Sequence, residues 1–402
     1  MRFARQLAPA LVALVIGAGG AAVTPAAAAA ASNSGSWTQF HYAATKSGYD
    51  AAEKTLSPGN VGRISVRWQT ATAGSVYDTP LVSGGRVFVV DTSGKLAALR
   101  QSDGHRLWSA AVGFLSDSTP AIWNDLVVVP GVDASGEFLA AFDVATGARR
   151  WRTRLVLDQY SSITPPAIYG SSVYVAAGTY IYALSASSGR VVWSTRVTTA
   201  PDGVMSGPVA VSGYGEYVVA AGTDGRVYAL NAATGAVAWN VLAGAGVYRG
   251  GPAIYSGIVY VPEGRGAAEG GGFDIVALQV SDGRLLWKSY AGDDVHLTPA
   301  AGQGRVFVGS IDEGVRALDS NTGALLWSGP YDGEVWGAPV LANGVVYFGA
   351  ESKLVAYNAA TGKLLAEFPT STSVASMSSP AVVDGRVYIG SGDNAVLVFG
   401  LP

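Results

Sequence analysis

The stretch "ALNAATGAVAW", Ala229 to Trp239, decides how this chain is read, because it is written repeatedly along it. "AFDVATGARRW" ends at Trp151, "ALSASSGRVVW" at Trp193 and "ALDSNTGALLW" at Trp327. Looser copies, "ALRQSDGHRLW" and "ALQVSDGRLLW", end at Trp108 and Trp287. With Trp68 in step ahead of them, the gaps between successive tryptophans are 40, 43, 42, 46, 48 and 40 residues. A second landmark keeps the same beat. It is a proline, usually after Thr, Gly, Ala or Ser, at Pro80, Pro120, Pro165, Pro208, Pro252, Pro299, Pro339 and Pro380. A period in the low forties built from short β runs predicts an all-β, eight-bladed β-propeller, with seven blades as the fallback.

Each unit reads as four antiparallel strands. After the proline comes a short apolar run such as "AIY", then a turn with Gly, Asn or Asp. "RVFVV", "SVYVAA" and "VVYFGA" follow, rich in the Val, Tyr and Phe that suit a pleated, buried strand. A second turn leads to "KLAAL", "RVYAL" or "KLVAY", and a Thr-Gly or Asp-Gly turn hands over to the strand ending in tryptophan. In that turn a side chain such as Asp143 can bond turn amides, while glycine supplies the positive φ of a tight hairpin. The small alanine and the indole would pack blade against blade, so the repeated sentence is mortar and not a catalytic motif. The eighth unit, "SSPAVVDGRVYIGSGDNAVLVFG", lacks a tryptophan strand, whereas "ISVRWQT" around Trp68 is spare. Joining the two closes the circle and removes an exposed edge. The seventh unit carries Ala366 where tryptophan is expected, which predicts a weaker seam there.

Composition supports a folded, exported protein. Of 402 residues, 49% are hydrophobic and 14% charged, ample material for a core and no sign of disorder. The formal charge of −3 and the absence of long basic runs argue against a nucleic-acid surface. Arg2 and Arg5 precede "LAPALVALVIGAGGAAV" and then several Ala-x-Ala sites, the layout of a secretory signal peptide over residues 1–30. Residues 31–62 then form a lead-in, and 63–402 the propeller. The apolar run is short and broken by glycine, so no transmembrane span is expected in the mature chain. With no cysteine there is neither a disulfide nor a lipid-modified N-terminal cysteine.

These residues resemble the pyrroloquinoline-quinone-type (PQQ-like) propeller repeat family, over nearly everything after the signal. The repeated "A-x-x-x-x-T-G-x-x-x-W" is similar to that family's blade-docking motif. "WTQFHYAATKSGYDAAEKTLSPGNVGRISVRW", Trp37 to Trp68, is similar to the lead-in of quinoprotein dehydrogenases. The resemblance implies either a quinone-dependent dehydrogenase or a non-catalytic relative such as the outer-membrane assembly lipoprotein, and the fold alone does not choose. The chain departs from many of the enzymes in lacking the cysteines of a vicinal disulfide and in being shorter. No matching motif supplies their Glu, Asn and Asp calcium ligands. It also lacks the lipoprotein's anchoring cysteine.

The residues just before each proline landmark should ring a central funnel on one face. They are Tyr77 and Asp78, Asp117 and Ser118, Tyr160 and Ser161, Met205 and Ser206, Tyr248 and Arg249, His296, Trp336, and Met377 with Ser378. Several are large, aromatic or chargeable where a spacer would be small, a mixture suited to gripping a ligand. The second turns add Asp91, Asp133, Asp224, Asp312, Glu313, Glu351 and Asp393, either an acidic rim or simply residues that suit tight turns. "EGRGAAEGGGFD", Glu263 to Asp274, reads as a flexible insertion in blade five, without the helix a phosphate loop needs. His296, beside Asp293 and Asp294, has no motif-linked nucleophile, and His41 and His105 have no metal-ligand spacing. The expectation is a secreted, monomeric, non-catalytic module binding a protein, peptide or envelope polymer, with no cofactor and no metal. The alternative is a compact dehydrogenase using pyrroloquinoline quinone and calcium.

Overall fold

A computed structural model describes residues 35–402 apart from 114–118, 157–162, 200–204, 206, 247–249, 296, 311–313, 330, 332 and 373–377. Eight sheets of antiparallel strands follow one another around a ring, so the count of eight blades holds and the seven-blade fallback does not. Blade one comprises Leu81–Ser83, Arg86–Asp91, Lys95–Arg100 and Arg106–Ala111, running from the axis outward. Its successors repeat that order as far as blade seven, which spans Val340–Ala342 to Leu364–Pro369. Blade eight has Ala381–Val383, Arg386–Ser391 and Ala395–Gly400, and its outermost strand is Ser65–Ala71 from the other end of the chain. Trp68 lies opposite Val398 in that pairing, so the ring is latched as the spare strand predicts.

Burial explains why these runs become these strands. The second and third strands of each blade lie between two neighbouring sheets, and Val345–Ala350 is buried at every position. The outermost strands alternate, as in Val191–Arg196, because only one side meets the core. The hydrophobic core is therefore a set of layers between blades. Tryptophan fastens every layer except the one between blades seven and eight. The indole N–H of Trp151 donates to Ala186 O at 2.9 Å in the next blade, and Trp193 and Trp239 repeat the bond on Ala232 O and Val280 O.

The opening stretch now has its full explanation. Asn231 Oδ1 accepts from the backbone N–H of Ala233 and Thr234 and from the Thr234 hydroxyl, at 3.1, 3.0 and 3.1 Å. Asp143 and Asp319 do the same in their own turns. Gly235 closes the turn at φ +72, and a Cβ there would sit 2.6 Å from the Trp193 ring. Glycine is thus required twice, for its backbone and for the indole lying on it. After the alanine of each sentence the pairing slips by one residue, a recurrent β-bulge that twists the outer strand.

The lead-in is an integral part of the ring. Trp37 N and O both pair with Val82 of blade one, and Thr38 O accepts from Ile122 N of blade two. The Gln39 side-chain amide brackets Ile168 of blade three, donating to its O at 3.1 Å and accepting from its N at 2.8 Å. Ala44, Thr45, Ser47 and Gly48 carbonyls then accept from Val211, Ile254, Ala301 and Leu341, one per blade from four to seven. Tyr49–Asp50 pairs in parallel with Val340–Ala342, and Glu53 Oε2 accepts from Gly385 N of blade eight at 2.9 Å. Seventeen residues, 37 to 53, visit all eight blades in order.

Candidate functional site

These lead-in bonds fall on the middle and later residues of the innermost strands, whereas the proline landmarks stand at their beginnings. The lead-in therefore covers the opposite end of the central opening from the predicted funnel. At the landmark level neighbouring blades are stapled by hydroxyls. Thr79 N donates to Thr119 Oγ1 at 3.2 Å, Gly251 N to Thr298 Oγ1 at 3.0 Å, and Ala338 N to Ser379 Oγ at 2.9 Å. Ser378 Oγ donates to Asp78 O at 2.8 Å and accepts from Gly390 N, joining blade eight to blade one. Where blades four and five meet, Gly207 approaches Gly250 O so closely that a Cβ would lie 2.2 Å from it. Hence the residue before each proline is small or hydroxylated: it is the inner hoop of the ring.

Among the predicted funnel residues, Asp117, Ser118, Tyr160, Ser161, Ser206, Tyr248, Arg249, His296 and Met377 lie outside the described residues, as do the signal peptide, Asp312 and Glu313. Tyr77 is half-buried at the blade-one position. Asp78 is 8% exposed, and its Oδ1 accepts from the Thr119 hydroxyl at 3.4 Å, which places it in the hoop. Met205 is buried between blades three and four among Tyr174, Ile181 and Tyr228. Trp336 is half-buried, with its indole N–H donating to Glu334 Oε2 at 2.9 Å and its backbone N–H to Gly349 O at 3.2 Å. Among the described predicted funnel residues, Tyr77 and Trp336 are the partly exposed aromatics.

The second-turn acids are tied into their surroundings. Asp91 accepts from Ala73 N, Ser93 N and the Ser93 hydroxyl. Asp133 is clasped by Arg152 and Arg154 and accepts from Ser135 N, and these bonds hold its carboxyl well below the usual range. Asp224 accepts from the Tyr228 hydroxyl at 2.5 Å, and Asp393 from Thr372 N at 2.6 Å. Four of these acids therefore serve their own turns or neighbouring blades, the turn-forming reading. The Glu263–Asp274 segment forms an extended hairpin, with Arg265 N donating to Gly272 O and Asp274 accepting salt bridges from Lys288 at 3.1 Å and Arg265 at 3.5 Å. Glu263, at its base, is fully buried with neither carboxylate oxygen bonded, although Gly246 N–H faces it. Burial pushes its pKa up to about 8.

Two buried groups in the lead-in carry no sequence signal as site residues. Lys46 is 0% exposed and donates to Pro166 O of blade three at 2.9 Å. Burial lowers its pKa to about 7. His41 is also fully buried, stacks on Phe40 with ring centroids 4.5 Å apart, and places Nδ1 3.1 Å from Lys46 O. Burial drives its pKa to about 3, so the ring is neutral and Nδ1 carries the proton that the Lys46 carbonyl accepts. Reading "HYAATKSG" alone, Lys46 looks like an ordinary solvated lysine; only its place inside the ring changes that.

An eight-bladed ring with one end capped by its own lead-in and the other bearing aromatic side chains defines a propeller of the PQQ-like class. A family profile described as outer membrane protein assembly factor BamB matches residues 64–162, 134–290 and 243–401, and the chain belongs to that family. It is 24% identical to the outer membrane protein assembly factor BamB of Yersinia pestis over 381 residues, 88% of this chain and 92% of that one. It is 26% identical to the tetrathionate hydrolase of Acidithiobacillus ferrooxidans over 310 residues, 73% of this chain but only 52% of the hydrolase, so it spans about half that protein's length. The quinohemoprotein alcohol dehydrogenase of Pseudomonas putida HK5 superposes with a TM-score of 0.66 at 15% identity, covering 91% of this chain and 80% of the enzyme; that likeness is one of fold.

Calcium and pyrroloquinoline quinone can be tested against the described side chains. Among the described residues no three His, Cys, Asp or Glu side chains gather as a metal site. Asp78 is engaged with Thr119, and Trp336 has its indole edge tied to Glu334. Also among the described residues, no helix is long and apolar enough to cross a membrane.

Proposed function

We propose that the protein is an exported binding module of the cell envelope, acting through its funnel face on a protein, peptide or envelope polymer and catalysing no reaction. The observation that carries this reading is the lead-in: by bonding to the innermost strands of blades one to seven and to the first turn of blade eight, it occupies the end of the ring opposite the landmark face. The family's description in terms of outer-membrane protein assembly favours an envelope role and a macromolecular partner. Tyr77 and Trp336 supply large, rigid contact surfaces of the kind that dominate binding energy.

A photocrosslinking side chain introduced at Tyr77 tests it. The mature protein should crosslink to one discrete envelope component. Trp336→Ala and Tyr248→Ala should abolish that product, and Leu364→Ser on the outer rim should leave it intact. Equal crosslinking from the rim, or survival of capture in both funnel variants, would show that another surface binds. Titration with the quinone and calcium tests the dehydrogenase alternative: a saturable shift in cofactor absorbance with dye-linked alcohol oxidation would replace the binding-module reading.

A further inference from the structure

The lead-in buries one basic group inside the ring without giving it a counter-ion. Thr45 O bonds to blade five and Ser47 O to blade six, so the Lys46 backbone is rooted between them. Its Nζ reaches Pro166 O on blade three, two to three blades away, and must therefore cross the central opening. Pro166 directly follows the blade-three landmark, so the ammonium stands just beneath the hydroxyl hoop. An ammonium has three N–H donors, and the bond to Pro166 O is the one formed among the described residues.

The carboxylates of the lead-in are engaged elsewhere. Glu53 accepts from Leu56 N, Thr55 N and Gly385 N, and Asp50 from Ala52 N. Lys46 makes no ion pair with either, and neutral His41 offers no negative charge. An ammonium held out of water without an anion is costly, which is why burial lowers the Lys46 pKa to about 7; a negative group that reached it would restore the charged form.

We propose that the central opening is a monoanion site in which the Lys46 ammonium receives one carboxylate group from the funnel side. One cation matches one negative charge; a phosphate dianion would need a second. The carboxylate belongs either to a small free acid or to the terminus of a chain lodged in the funnel. The proposal rests on the funnel being the ligand face and names the chemistry at its floor.

The test uses the mature full-length protein and no partner, so its failure is separate from failure of envelope capture. Acetate, a short peptide acid and the same peptide amidated are titrated at constant ionic strength, with chloride and phosphate as controls. The readouts are the melting temperature and the Lys46 15Nζ resonance in lysine-labelled protein. Saturable movement of the Lys46 resonance and a raised melting temperature are expected with a carboxylate. Both should weaken at least tenfold in Lys46→Gln, which keeps a donor for Pro166 O, and in Lys46→Met. A response to acetate alone identifies a small acid; a response to the peptide acid and not the amide identifies a chain terminus. An unmoved Lys46 resonance in the wild-type protein with every carboxylate, or an equal melting response in Lys46→Gln, overturns the proposal.

Discussion

Gly147, at φ +72, lies under the Trp108 indole, with 2.6 Å between a would-be Cβ and the ring. Gly147→Ala therefore combines a left-handed backbone, costing about 1–2 kcal/mol, with overpacking of about 1–3 kcal/mol. We expect a loss of about 2–5 kcal/mol by urea unfolding, against a negligible change for Gly170→Asn, where φ is +60 and no atom lies within 4 Å. Glu263 gives a residue-scale prediction of a different kind. Its pKa is raised from 4.5 to about 8 by burial, so the folded protein holds its proton across that interval while the unfolded chain loses it. Stability from this group is present below about pH 4.5 and is lost as pH rises to about 8. Glu263→Gln, neutral at every pH, should match the wild type at pH 4 and exceed it by a few kcal/mol at pH 8.5. Parallel melting curves at both pH values, with no growing gap, would remove Glu263 from the pH response.

At the scale of the element, the missing seventh tryptophan becomes intelligible. Each indole covers the glycine turn between the third and fourth strands of the next blade: Trp68 covers Gly104, Trp287 covers Gly323 and Trp327 covers Gly362. Blade eight has no such turn, because its fourth strand, Ser65–Ala71, arrives from the other end of the chain. In its place the short 3-10 turn Val61–Arg63 packs on Leu364–Pro369, and Phe368 meets Phe399 with ring centroids 5.6 Å apart. Restoring the repeat by Ala366→Trp should therefore destabilise the protein by about 1–3 kcal/mol through overpacking, measured as a lowered urea midpoint. A rise in the midpoint would mean that the seam has room for the indole. The strand pattern, the turn chemistry and the closing strand were all legible in the sequence because each is written in a local period. What substitutes for Trp at the last seam was not, since Val61 and Phe368 follow no repeat.

At the scale of the whole molecule, the repeat told where loops converge but not which end of the opening is covered. "WTQFHYAATKSGYD" has neither strand alternation nor a helical stripe, and its role is to offer carbonyls and one glutamine amide to strands hundreds of residues away. The candidate site was legible in the same uneven way: the hoop was marked by the prolines, whereas the burial of Met205 and Lys46 depends on tertiary packing alone. This gives the lead-in a measurable weight. Removing residues 1–53 keeps the closing strand and all eight four-stranded meanders, yet deletes the backbone or amide bonds to the innermost strands of blades one to seven, the Glu53 bond to Gly385 of blade eight and the buried Trp37. At about 1 kcal/mol per hydrogen bond, with a further 2–3 kcal/mol for a buried aromatic, the loss is on the order of 10 kcal/mol before the shortened chain's smaller entropy cost offsets part of it. The truncated protein should keep its β-sheet circular dichroism at low temperature, melt well below the full chain, and exchange the amides of Val82, Ile122, Val211 and Ile254 with solvent far faster. If those four amides stay protected, the ring does not depend on its lead-in and the second end of the opening is closed by something else.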